Sequence, residues 1–233
     1  MRGIVAAVVA VLALVSGCGW PRDTGQTLAD VRAGVLRVGV TDNPPWALAH
    51  GEGEPSGAEP ALVRQLAQRF QARVEWFPGS ESALMPALKD RVLDLVIGGL
   101  DAKSPWIEHA ALTRPYVSMR TVLAAPADVA VPDDLAGVRV AVRAGTAEVA
   151  AMVGEGADVV TVPEITGREG LPTVVPEWRV AELGLRETGH ETGSADHVWA
   201  VPPGENAWQV EVERFLLGQS HEGVSELLVE AER

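Results

Sequence analysis

Side chains able to do covalent or acid–base chemistry are few in this sequence and stand far apart. There is a single thiol, Cys18, and five histidines, His50, His109, His190, His197 and His221, whose spacing matches no metal-binding pattern. No Gly-x-Ser-x-Gly elbow, phosphate-binding loop or His-Glu-x-x-His helix occurs. What remains is carboxyl groups such as Glu59 and Asp101, either of which could serve as a general acid if burial raised its pKa. A lone carboxyl is thin support for catalysis. No catalytic residue, metal or cofactor is expected.

Groups suited to gripping a small molecule are better gathered. Asp42 and Trp46 follow a β-rich run at 35–40, and GGLDAKSPW (98–106) supplies Gly99, Leu100, Asp101, Lys103 and Trp106. Two indoles can hold an aromatic or apolar group, or a cation over the ring face; ordinary packing is the alternative. Asp101 suits an amine, or else pairs with Lys103 or caps the turn that follows. At Gly145-Thr146 a strand gives way to a helix. Free N–H groups there can take an anion or a carbonyl oxygen, and Thr146 can equally cap the helix.

Positioning these groups falls to an alternation of strands and helices. The run 35–40 ends at Asp42-Asn43-Pro44-Pro45, as a strand would. Residues 50–57 form a polar turn, Ser56 and Glu59 have capping-box spacing, and Leu62, Leu66 and Phe70 make one helical stripe. Residues 73–77 alternate as a strand, 84–92 suit a helix, and 93–97 form a buried strand. This order implies a parallel sheet flanked by helices, with ligands held beyond the carboxyl ends of its strands. The loops after Val40 and Ile97 are therefore the places to look. A second α/β unit follows, with strands expected at 120–125, 138–143, 158–162 and 196–201. Two amphipathic helices, near 206–217 and 224–231, close the chain. Around the strand at 158–162, residues 154–173 are broken by Gly and Pro and are hard to assign.

The 233 residues are 47% hydrophobic and carry a net charge of −13. That acidity argues against nucleic acid as a partner, and against adhesion to anionic lipid through basic residues. It favours cationic or neutral ligands. Residues 1–17 have a basic start, an apolar run and small residues at the end, as an export signal does. Val15-Ser16-Gly17-Cys18 resembles a bacterial lipobox, in which cleavage precedes the cysteine and the sulfur is acylated. A plain secretory signal with an incidental cysteine is the alternative. Residues 18–27 then read as a tether.

Five segments in order resemble the type 2 periplasmic binding proteins, the polar-amino-acid receptors of ABC importers. LRVGVTDNPPW (36–46) is similar to the family's first strand and ligand-facing aromatic, and SGAEPALVRQLAQRF (56–70) to its first turn and helix. LMPALKDRVLDLVIGGL (84–100) resembles the run from helix to strand to ligand loop. LTRPYV (112–117) matches the signature before the chain crosses lobes, and DDLAGVRVAVRAGTA (133–147) the start of the second lobe. The resemblance implies an α/β fold of two lobes, each a mainly parallel sheet flanked by helices, joined by two hinge strands. Lobe one would comprise 28–118 and 195–233, and lobe two 119–194, shorter than is usual. It also implies a monomeric receptor, lipid-anchored on the outer face of the membrane or in the periplasm. Its partners would be a small ligand (an amine, an aromatic or another polar solute) and an ABC permease. A sensor or partner module without transport is the alternative. Some proteins of this fold are dehydratases or accompany cell-wall lyases.

One segment departs from the pattern. The family carries Thr-x-Thr and then an Arg that clamps the ligand α-carboxylate. Aligned on Gly99, the threonines become Asp101 and Lys103, and the Arg becomes Trp106. An indole has one N–H donor and no charge, so it cannot replace that clamp. Lys103, Arg143 or the Gly145-Thr146 amides are the possible substitutes. Glu177, in Val175-Pro176-Glu177-Trp178, falls near the position where the family's acid takes the ligand ammonium; a solvated acid is the alternative.

Overall fold

The computed structural model describes residues 22–49 and 53–233. The signal, Cys18 and His50 lie outside them. Two five-stranded mixed sheets flanked by helices make a two-lobed α/β molecule.

The first sheet grows around β1 (Val35–Val40), which pairs in parallel with β2 (Arg73–Pro78) and β3 (Leu95–Ile97). Alternation in VLRVGV sends Leu36, Val38 and Val40 to one face, where all are fully buried. There they meet Leu62, Leu66 and Phe70 of α2 (Ala58–Phe70), and the large rings of Trp199 and Trp208, in one core. A preceding short helix, α1, spans Thr27–Val31. The other face is covered by Leu84, Met85 and Leu88 of α3 (Glu81–Lys89). That helix begins three residues earlier than the apolar pattern alone suggests, because Pro78-Gly79-Ser80 ends the strand and leaves Ser80 at the N-cap.

The chain passes through β4 (Ala111–Leu112) into β5 (Val117–Ala125), the entry to the second sheet. That sheet has parallel strands β6 (Arg139–Arg143), β7 (Asp158–Val162) and β8 (Thr173–Pro176), with α4 (Ala147–Gly154) after β6. The long β9 (Arg186–His197) runs antiparallel to β5, pairing Val117 with His197. β10 (Ala200–Val201) then returns to the first sheet, antiparallel to β3 and β4. The single strand expected at 196–201 is thus the end of β9 and all of β10, in different sheets. Both apolar and buried, Val198 and Trp199 bridge the change, and hydrophobicity carries no mark of it. α5 (Asn206–Leu216) and α6 (His221–Glu232) close the fold, the latter capped by Ser220, whose Oγ accepts from the Gly223 N–H at 3.0 Å.

The capping box at Ser56 and Glu59 does not form. Gly57 occupies the N-cap, at φ 114°, and Ser56 pairs with Leu48 instead. Glu59 is turned wholly inward.

Candidate functional site

A cleft of about 360 Å³ opens between the loop after β1 and strand ends of the second sheet. The first sheet's side contributes Asn43, Pro44, Pro45 and Trp46, with His197 and Glu232 beside them. Across from these lie Met119, Val142, Ile165, Val174 and Val175, whose side chains are buried and close the cleft from beneath, the last four in the cores on the two faces of the second sheet. Around them stand Arg120, Arg143, Thr146, Glu148, Trp178 and Arg179.

The loop after β3 is fixed from below by Glu59. One carboxylate oxygen accepts the N–H of Gly98 at 2.7 Å and of Gly99 at 2.8 Å. The other accepts the Tyr116 hydroxyl at 2.8 Å and the Trp199 indole N–H at 3.0 Å. Burial raises this carboxyl's pKa, against the lowering influence of the four donors. The same burial, with the nearby Glu59 charge, raises that of Tyr116. From the sequence Glu59 reads as a capping residue or a general acid; its true partners are distant in sequence.

Of the expected site residues, Trp46 and Thr146 line the cleft. Trp46 is 8% exposed and stacks on His197, with ring centroids 3.7 Å apart. Gly99 abuts the same ring so closely that a Cβ there would lie 2.8 Å from it. The indole therefore offers the cleft little more than an edge. Thr146 donates its hydroxyl to the Arg143 carbonyl at 2.9 Å, and Gly145, at φ 79°, makes the turn beneath it.

The others are engaged elsewhere. Asp42 accepts the Ala49 N–H at 2.8 Å, and Leu100 is packed in the core under α3. Asp101 accepts the Lys103 N–H at 2.6 Å, the turn-capping alternative, and its backbone bridges to His197. Trp106 donates its indole N–H to Glu81 at 2.5 Å and packs against the same core as Leu100. Glu177 accepts the backbone N–H of Arg120 at 2.8 Å and its Nε at 2.7 Å, with His221 at 3.0 Å. Burial opposes ionisation of Glu177, but these partners hold its pKa below the ordinary carboxylate value. None of these five lines the cleft.

The sequence reading missed His197 and Trp178. Burial lowers the His197 pKa to about 4, with Asp101 and Asp196 pulling weakly the other way, so the imidazole is neutral at pH 7. Its Nδ1 is buried without a partner. Trp178 could have been found one residue along from Glu177, in a segment whose acid drew the attention. Arg179 pairs with Glu232 at 2.9 Å, and burial raises the Glu232 carboxyl despite that pairing. Among the described residues, no cluster of His, Cys, Asp and Glu could hold a metal ion, and no helix is long and apolar enough to cross a membrane.

Residues 36–229 match the sequence model of the bacterial extracellular solute-binding proteins, family 3. The chain belongs to that family. Solved structures agree on the fold: the L-cystine solute receptor of Neisseria gonorrhoeae superposes with a TM-score of 0.66 at 17% identity, covering 85% of this chain and 92% of that one. An ancestral cationic amino acid solute-binding protein gives 0.65 at 20% identity, covering 88% and 98%. An ancestral cyclohexadienyl dehydratase gives 0.60 at 20% identity, covering 87% and 93%. A membrane-bound lytic murein transglycosylase F of Photobacterium profundum is 35% identical over 119 residues. That match takes in 49% of this chain but only 23% of the enzyme. In this family the ligands are small molecules bound outside the cytoplasm.

Proposed function

We propose that this family member is a solute-binding lipoprotein, anchored through Cys18, that captures a small molecule between lobes and delivers it to an ABC permease. Lobe one is taken as 28–118 with 195–233, and lobe two as 119–194. The observation that carries the reading is the cleft itself, walled by the Pro44-to-Trp46 loop on one side and by Met119, Val142 and Arg143 on the other. A ligand there touches both sheets, so its binding favours the approach of one to the other.

What supports binding over catalysis is the state of the acids. Glu59, the carboxyl that burial makes a plausible proton donor, is enclosed by four donors and does not line the cleft. Asp101 is spent on its own turn. A ligand sensor without a transporter is favoured by one finding, the kinship with part of a murein transglycosylase. The decisive experiment is a thermal-shift screen of the purified full-length protein against carboxylates, amines, amino acids and sugars. A ligand that binds only the folded state raises the melting temperature. A shift of several degrees with one chemical class is expected. Turnover of that ligand would replace the receptor reading with an enzymatic one.

A further inference from the structure

Most charged groups in the cleft already have partners. Arg120 is held by Glu177 at 2.7 Å and Glu187 at 3.1 Å, and Arg179 by Glu232. Arg143 is different. It is exposed at the end of β6 and lines the cleft, and among the described residues its guanidinium has no hydrogen-bonded or ion-paired partner. Its field reaches the Glu232 carboxyl, but no salt bridge forms. Among the described residues, the one other charge lining the cleft without a side-chain partner is Glu148, which stands in the first turn of α4. Backbone N–H groups at a helix start already favour a carboxylate there.

The apolar surface that the cleft leaves open is that of Pro44, Pro45 and Trp178, while Val142, Met119 and Ile165 are 0%, 5% and 3% exposed and only close it from beneath. A planar guanidinium next to an apolar surface suits a molecule with a carboxylate at one end and a hydrocarbon body at the other, since the fork matches a carboxylate in two hydrogen bonds. On the opposite wall, Trp46 and the neutral His197 cover one another and supply no cation. Trp106, standing where the family's clamping Arg is expected, is turned away to Glu81. We infer that Arg143 is a relocated carboxylate clamp, carried on the second sheet, and that the ligand is a small monocarboxylate with an apolar body. This rests on the receptor reading above and narrows it to a substrate class without an amine.

Matched probes test it by calorimetry on the full-length protein at pH 7. Phenylacetate and 4-methylpentanoate are compared with phenylacetamide, phenethylamine and phenylalanine. The carboxylates should bind at least ~10-fold tighter than the amide and the amine, and tighter than phenylalanine. Arg143→Gln should erase that preference without moving the melting temperature. Should that variant fail to fold, Arg143→Lys should keep the preference for carboxylate over amide but bind less tightly, having lost the fork. Glu148→Gln should leave carboxylate binding unchanged or strengthen it. Preference for the amine or for phenylalanine, lost in Glu148→Gln, would overturn the clamp while leaving the receptor intact, as would carboxylate binding indifferent to Arg143→Gln. Binding of no probe, together with an empty ligand screen, would sink both readings.

Discussion

The imidazole of His197 lies on the indole of Trp46, ring centroids 3.7 Å apart and planes 28° from parallel. The pair joins the last residue of β9 to the loop after β1, so it ties the returning chain to the cleft wall. Burial is the main reason the His197 pKa lies near 4, below the ordinary 6.5. The folded state therefore takes up this proton less readily than the unfolded chain does. Its contribution to stability is full above pH 6.5 and is lost as pH falls towards 4. A shift of that size corresponds to roughly 3 kcal/mol. Urea unfolding at pH 7, 5 and 4 should show this loss. In His197→Phe, which keeps a ring on Trp46 but does not titrate, the fall between pH 6.5 and 4 should be clearly shallower. An unchanged profile would show that His197 is not its source.

Glu59 makes a second, sharper case, because its two oxygens accept from four donors while the residue is fully buried. Glu59→Gln puts an amide NH2 where one oxygen was, and two donors then face a donor. Stranding buried donors costs about 1–3 kcal/mol each, so a total of about 2–6 kcal/mol is expected from denaturant midpoints. The amides of Gly98 and Gly99 should also lose protection from hydrogen exchange, since their acceptor anchors the loop. Wild-type stability in the variant would mean that the backbone, not Glu59, fixes that loop.

The parts of this fold visible in the sequence are those where one face is apolar and the period is regular. Leu62, Leu66 and Phe70 announce α2, and Leu36, Val38 and Val40 announce β1, because burial on one side imposes both patterns. β9, apart from its last two residues, is invisible for the opposite reason. Its RETGHETGSADH is polar, an edge strand held by backbone pairing to β5 rather than by side-chain burial. The site was harder still. Trp46 and Thr146 were found because strand ends and helix starts are legible, whereas whether Asp101 faces a ligand or its own turn depends on a backbone bend that no spacing records. Trp178 lies beside the expected Glu177, and a short 3-10 turn decides which of the two reaches the cleft.

Cys18 lies outside the described residues, and its role rests on the lipobox-like Val15-Ser16-Gly17-Cys18. Export followed by acylation should place the protein in the membrane fraction, released by detergent but not by high salt. Cys18→Ser should leave it soluble or unprocessed. Recovery of the wild type wholly in the soluble fraction, its thiol free, would exclude the anchor.

The last expectation concerns the ligands of the family at large. An α-carboxylate that enters a closing cleft gives up its water and needs donors in return, preferably a fixed guanidinium. At the position where the resemblance puts that guanidinium stands Trp106, whose N–H is committed to Glu81 at 2.5 Å and whose ring meets His109 edge-on. Arg143 can take the carboxylate instead, but the ammonium of an amino acid then needs an acid, and Asp101 and Glu177 are already engaged. An unpaired buried charge costs about 2–5 kcal/mol, or roughly one and a half to three and a half decades of affinity. Calorimetry with the common α-amino acids should accordingly find none bound below micromolar concentrations. Trp106→Arg should not restore such binding, because the new guanidinium would meet the Glu81 carboxylate before any ligand, and the variant should also lose stability with the indole's packing. A sub-micromolar amino acid in the wild type would show that a second group beside Arg143 takes its amine. Gain of such binding in Trp106→Arg would show that this loop turns towards the cleft when ligand is present.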